Sequence, residues 1–264
     1  MNLFLYLDHD TWIHRLDPRT KITSVLIGFV LCLCFNHPLY ITAISLGVAG
    51  VAHSAGVLRN FWKFRFILLL LFSFSGVLWP FFAKGPAPSW SWGPLTLSQV
   101  SVLYGIAMGL RLTTFVAIGL IFLSTTRNEE LTHGLIRLGL PYPVAFALST
   151  ALRLVPTFAG AGATIVQAQV SRGLDLESGS LFRRAGKFIP LAVPLFIYAI
   201  RHTNVLAMAL ESRGFNPGSK RTFYYELHIR PIDYVVAVSL ILVLAVLLYL
   251  RLGLHLGAVI PGRL

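Results

Sequence analysis

Apolar residues come in long, nearly unbroken blocks along the chain, not in the strict alternation of half-buried strands. A membrane helix needs about 20 mostly apolar residues at a rise of about 1.5 Å each. Five blocks read as spans: Ile22 to Phe35, Leu39 to Leu58, Phe64 to Phe82, Val100 to Ser124 and Ile232 to Leu252. The first is short and stops at Asn36-His37-Pro38. The third ends in Trp79-Pro80, and a loop with Lys84, Pro86, Pro88 and the pair Trp90 and Trp92 follows. Paired tryptophans suit a headgroup belt.

More than a hundred residues, Thr125 to Pro231, separate the fourth span from the fifth. A structureless stretch of that length does not suit a compact protein, and its pattern predicts helices. Asn128 to Leu138 is short and amphipathic, with Asn128 as the cap and Gly139 then Pro141 as the stop. Pro143 to Arg172 and Lys187 to Arg213, the latter beginning near Ser180, form two long helices. Both are apolar, but Arg153 interrupts the first, and Arg201-His202-Thr203-Asn204 interrupts the second. The uninterrupted run Phe188 to Ile200 is only 13 residues, the length of a buried or interfacial helix. Both helices are therefore expected to lie at the interface or face the cytoplasm. Pro156 in one helix and Pro190 and Pro194 in the other are candidate hinges. The small residues Ala159, Gly160, Ala161, Gly162 and Ala163 predict that the two helices cross there or nearby.

The fold class is thus an all-α polytopic membrane protein: about five spans plus a cytoplasm-facing module of one short and two long crossing helices. Three segments follow: 1–126, 127–230 and 231–264. Composition agrees. Of 264 residues, 56% are apolar and 12% charged, about half the charged share of a soluble domain, and mean hydropathy is +0.73. Disorder is excluded because disordered chains are poor in hydrophobes. Cys32 and Cys34 lie two apart in an apolar run, which fits neither a disulfide scaffold nor a metal site. Residues 1–21 carry Asp8, Asp10 and Asp17 and do not read as a signal peptide.

The net charge of +12 separates by side. Eighteen basic residues fall in the N-terminal segment, the connection after the second span and the long fourth connection; three, Lys84, Arg251 and Arg263, fall opposite. This bias places the N-terminus and the long helices in the cytoplasm. The charge is a topology signal, and nucleic acid is not an expected partner.

Each long helix ends in the same tripeptide: Ser171-Arg172-Gly173 and Ser212-Arg213-Gly214. Glycine past a helix is an ordinary left-handed stop, and a cation in the last turn complements the helix dipole by about 0.3–1 kcal/mol. A stop requires only the glycine, however, and does not specify Ser-Arg twice. An arginine at a helix tip offers a planar five-donor fork to a groove on a partner, and the glycine turns the chain out of its way. Two tips imply two grooves.

Other groups carry weaker signals. Asp8, His9, Asp10 and His14 are metal-ligand types without a helical or strand spacing. Arg111 lies within the fourth span, where a charge is held by structural pairing, contacts a partner, or snorkels to the interface. No Gly-x-x-x-x-Gly-Lys-Ser/Thr loop occurs, and Glu129 and Glu130 diverge by about 100° on a helix, so they make no catalytic pair.

The two Arg-Gly tips follow an N-terminal His14-Arg15-Leu16-Asp17-Pro18-Arg19-Thr20-Lys21. Asp17 is a good N-cap and Pro18 a good first helical residue, while Arg15, Arg19 and Lys21 suit positive-inside anchors. Octapeptide, span order, tips and final span together resemble the transmembrane T component of energy-coupling factor transporters, the family that includes the CbiQ proteins. That family usually carries Ala-Arg-Gly at its tips; Ser171 and Ser212 depart from it and leave both Arg-Gly pairs intact. The resemblance implies a multi-pass scaffold in a prokaryotic cell membrane. Its partners would be two ABC-type ATPases, which bind the ATP and Mg, and a membrane S component that captures a vitamin or a transition-metal ion. The chain itself would bind no cofactor or metal and catalyse nothing. The rival reading is a polytopic membrane enzyme acting on a lipid or prenyl-phosphate substrate, with the basic loop holding phosphates. It needs convergent acidic residues, and the chain's 10 acids form no such cluster.

Overall fold

The structure, a computed structural model, describes residues 6–7, 9, 11–82, 90–92, 95–97, 99–175, 178, 186–216 and 229–253. These form helices α1 (Pro18–Cys34), α2 (Pro38–Ser54), α3 (Leu58–Phe82), α4 (Gln99–Thr125), α5 (Asn128–Arg137), α6 (Tyr142–Ser171), α7 (Ile189–Ser212) and α8 (Pro231–Leu252). Between α3 and α4, β1 (Trp90–Trp92) pairs antiparallel with β2 (Leu95–Leu97), so part of the expected loop is a small ribbon. The protein is an all-α polytopic membrane protein.

All five expected spans are helical, with shifted ends. α1 starts at Pro18 because the Asp17 carboxylate accepts the Arg19 amide at 2.8 Å and proline needs no donor in the first turn. α2 stops at Ser54, and Gly56, at φ +70°, turns the chain directly into α3. Arg59, Lys63 and Arg65 therefore stand in the first turns of α3, not in a loop as expected. Five helices are long and apolar enough to cross a membrane: α3, α4, α6, α7 and α8. α1 and α2, at 17 residues each, stand at the short end of the spanning range of about 17–25.

The chain divides into two compact units, residues 1–138 with 227–264, and residues 139–226. In the first unit α4 is central, packed against α3, α2 and α1, while α1 also packs on α8 and α5. Glycines set the closest approach. A Cβ on Gly105 would stand 2.7 Å from the Pro80 ring and 2.8 Å from the Gly76 carbonyl; one on Gly109 would stand 2.9 Å from the Phe72 carbonyl. Gly105 and Gly109 form a small-xxx-small pair that lets α4 lie against the backbone of α3. Pro80 also leaves the Gly76 carbonyl without its helical donor, so α3 meets Gly105 where its ladder is interrupted.

In the second unit α6 and α7 pack antiparallel. Gln169 near the end of α6 reaches Pro190 at the start of α7, with Nε2 donating to the carbonyl at 3.4 Å. Midway, the Phe158 ring lies edge-on to Tyr198 (6.1 Å) and His202 (5.9 Å). At the other end Phe146 lies 4.6 Å from Phe215, just past α7.

Candidate functional site: two arginine tips and a buried clamp

The two long helices end in the same backbone geometry. Arg172 sits at φ −87°, ψ 6° and Arg213 at φ −88°, ψ 8°. Gly173 and Gly214 follow with φ of +91° and +72°, a region open to glycine. The Gly173 amide donates to Val170 O (2.9 Å) and the Leu174 amide to Gln169 O (3.0 Å). Likewise Gly214 donates to Glu211 O (2.9 Å) and Phe215 to Leu210 O (3.0 Å). Each end is a Schellman motif, which satisfies the last carbonyls. Ser171 and Ser212 bond back into their own helices, to Gln167 O and Ala209 O, both at 3.0 Å. Both arginines are exposed. Each tip presents one exposed guanidinium, and on α7 the exposed Glu211 stands two residues before it.

Because α6 and α7 are antiparallel, the tips lie at opposite ends of the hairpin. At 1.5 Å per residue each is about 21 Å from the level of the Phe158–Tyr198 contact. The two helices meet beside the small-residue patch, at Phe158. A Cβ on Gly160 or Gly162 would meet nothing within 4 Å, and Ala159 and Ala163 are exposed. Large aromatic rings, with Phe158 next to the patch, make the mid-helix contact. The hinge set is corrected. Pro156 and Pro194 are inside their helices, but Pro190 stands in the first turn of α7, where its missing N–H is no loss. Pro194 removes the donor for the Pro190 carbonyl, and Gln169 of α6 bonds that same oxygen.

Within the N-terminal octapeptide, Leu16, Asp17, Pro18 and Lys21 form a buried clamp in the first unit, so Lys21 is not the surface anchor expected. Lys21 is only 4% exposed. Its Nζ donates to His14 O (3.0 Å), Thr125 O (2.9 Å) and Glu130 Oε2 (3.2 Å), which ties the start of α1 to the end of α4 and to α5. The Asp17 amide donates to Asp233 Oδ1 at 2.8 Å, and the Arg230 amide to Asp233 Oδ2 at 2.7 Å. Asp233, 1% exposed, thus joins the start of α8 to the start of α1. Pro18 packs on α5 so closely that a Cβ on Gly134 would stand 2.9 Å from its Cβ. Leu16 is buried with Ile13, Ala55 and Val57. Arg15 is exposed; Arg19 and Thr20 are half-buried, and Thr20 O accepts the Thr23 and Ser24 hydroxyls. His14 Nε2 faces Leu7 O (3.0 Å) and Nδ1 faces Thr11 Oγ1 (2.7 Å), an arrangement suited to the neutral ring. Burial pushes its pKa down from the ordinary value near 6.5; the bond to Leu7 O opposes this, and the Lys21 charge adds to it.

Asp233, Gly105, Gly109 and Gly134 escaped the sequence reading. Signals existed: an acid two residues after Pro231, and the spacing Gly105-Ile106-Ala107-Met108-Gly109. Asn128 is the first residue of α5 and not its cap, a place Arg127 takes. Arg111 is a structural group. It donates to Cys32 O (3.0 Å), Phe35 O and Asn36 Oδ1, and so holds the last carbonyls of α1. Asp8 and Asp10 lie outside the described residues, and among those described no three His, Cys, Asp or Glu converge as a metal site.

Comparison with known proteins adds a second line of observation. The family described as CbiQ, cobalt transport protein, matches residues 9–225. The energy-coupling factor transporter transmembrane protein EcfT of Acidaminococcus fermentans is 32% identical over 261 residues, covering 94% of this chain and 96% of its own length. The protein of that name from Brevibacillus brevis is 34% identical over 251 residues, covering 91% and 95%. EcfT 1 of Listeria monocytogenes is 31% identical over 258 residues, covering 93% and 96%.

Proposed function

Starting from the fact that this chain belongs to the EcfT/CbiQ family of transporter transmembrane components, we propose that it couples two motor subunits to a substrate-binding membrane subunit through the α6–α7 hairpin. As a transporter's transmembrane component it is a non-catalytic subunit, and the enzyme reading is set aside. Arg172 and Arg213 enter grooves on two ABC-type ATPases, which hold ATP and Mg. The exposed apolar side chains of the hairpin hold the S component. ATP-driven closure displaces the two tips, the hairpin pivots on arms of about 21 Å around the Phe158, Tyr198 and His202 rings, and the S component reorients. Its cargo is a vitamin or a transition-metal ion.

The observation that carries this reading is the placement of two identical exposed tips at opposite ends of one antiparallel hairpin. If α6 and α7 crossed the bilayer, Arg172 and Arg213 would emerge on opposite faces. Both helices also carry an exposed mid-length cation, Arg153 and Arg201. Each would cost about 2.5–3.5 kcal/mol at the bilayer centre. Together these outweigh the bare fact that both helices are long enough to span. On this reading the hairpin lies along the cytoplasmic face of a prokaryotic cell membrane, with both tips in one compartment.

Co-purification tests this. Each Arg→Glu change at 172 or 213 should weaken one ATPase contact by about 2–5 kcal/mol, the loss typical of a buried interfacial charge, and the double change should release both ATPases. Wild-type retention of the ATPases by the doubly substituted protein refutes the docking role.

A further inference from the structure

The start of α3 carries a surface that coupling does not use. Arg59, Trp62, Lys63 and Phe66 recur at the spacing of one helix face. All four are exposed, Trp62 by 71% and Phe66 by 72%. The Arg65 guanidinium lies 4.4 Å above the centroid of the Trp62 ring and holds it by cation–π attraction. Among the described residues no acidic side chain pairs with Arg59, Lys63 or Arg65; the ion pair found there is Lys21–Glu130. Among the described residues these three cations on one helix end thus have no acidic partner.

Directly along the same helix the exposed residues are apolar apart from Ser73: Ile67, Leu69, Leu70, Phe74, Val77 and Leu78. α3 is among the helices long and apolar enough to span, so this surface meets acyl chains. On the inward side, Asn60 Nδ2 donates to Ser124 Oγ at 2.7 Å, next to the Thr125 carbonyl held by Lys21. That bond fixes the start of α3 at the level of the buried clamp, where the apolar band ends. Tryptophan marks headgroup depth, and arginine and lysine extend from there to phosphate.

The geometry points to an anionic phospholipid site at the start of α3, in which Arg59 and Lys63 hold the headgroup phosphate and Trp62, steadied by Arg65, lies against the glycerol and upper acyl region. The occupant is lipid, not a protein, because the cations run without a break into the lipid-facing band. Near a membrane surface each cation raises the preference for anionic lipid about fivefold.

Trp62 is its own reporter. The full chain is placed in phosphatidylcholine vesicles containing an equal minor fraction of either brominated phosphatidylglycerol or brominated phosphatidylcholine. Subtracting the emission of a Trp62→Phe protein isolates its signal from the chain's other four tryptophans. The brominated anionic lipid should quench Trp62 more strongly than its zwitterionic counterpart. Arg59→Gln and Lys63→Gln should each lower that preference about fivefold, while quenching by brominated phosphatidylcholine, which reports insertion, stays unchanged. Equal quenching of the wild-type protein by the two lipids overturns the site. So does a preference that survives both substitutions, and so does absence of quenching by either lipid, which would mean that protein covers this face.

Discussion

Replacing Asp233 by alanine removes two acceptors at once from the place where α1 and α8 meet. The carboxylate takes the Asp17 amide at 2.8 Å and the Arg230 amide at 2.7 Å, and the residue is 1% exposed. A buried donor left without a partner costs about 1–3 kcal/mol. The Asp17 amide is buried and should lose the upper part of that range. The Arg230 amide is partly buried, so water recovers some of its loss. We expect about 2–4 kcal/mol in all, a factor of about 30 to 700 in the local opening equilibrium. Amide hydrogen exchange of the full chain in detergent measures it directly. Peptides over 14–22 and 229–236 should exchange faster by that factor, and the tip at Gly173 should not change. Asp233→Asn keeps one acceptor oxygen and should fall between. Wild-type protection at Asp17 in a folded Asp233→Ala protein would show that the carboxylate is not what closes the clamp.

Glycine substitutions separate real from apparent helix contacts. Gly105→Ala places a Cβ 2.7 Å from Pro80 and 2.8 Å from a backbone oxygen, so denaturant unfolding should show a loss of about 1–3 kcal/mol. Gly160→Ala meets open space and should gain up to about 1 kcal/mol from helix propensity; equal effects at the two positions contradict the packing described. His14 sets a pH dependence. Its pKa is lowered by burial, so below its ordinary value near 6.5 the unfolded chain binds the proton more readily, and the stability tied to the neutral ring is lost on acidification. The Tm advantage of the wild type over His14→Gln should be constant above about pH 7 and shrink toward about pH 5; a constant gap across that range contradicts the neutral, buried ring.

The spans and both tips were legible because their signals are local: an apolar block, then a glycine. Shared surfaces were not. Arg59, Lys63 and Arg65 suggested a loop, yet arginine and lysine are good helix formers, and Asn60 between them is buried against α4. Small residues at 105–109 and at 159–163 have the same potential for close approach, and only the neighbouring helix decides which pair is used. Lys21 read as an anchor because its acceptors, Thr125 and Glu130, lie more than a hundred residues away. Asp17 and Pro18 were recognisable as a helix start, while the amide of that same Asp17 finds its acceptor at Asp233.

An antiparallel pair of like helices has an approximate dyad between its members. The Ser-Arg-Gly repeat, from Arg172 to Arg213, carries Phe158 onto Ala199, beside the Tyr198 ring that it touches. The dyad therefore passes through that aromatic contact and exchanges the two ends. In the proposed coupling role, a single, otherwise asymmetric polypeptide would in this way offer equivalent plugs to a symmetric pair of sockets without a second copy of itself.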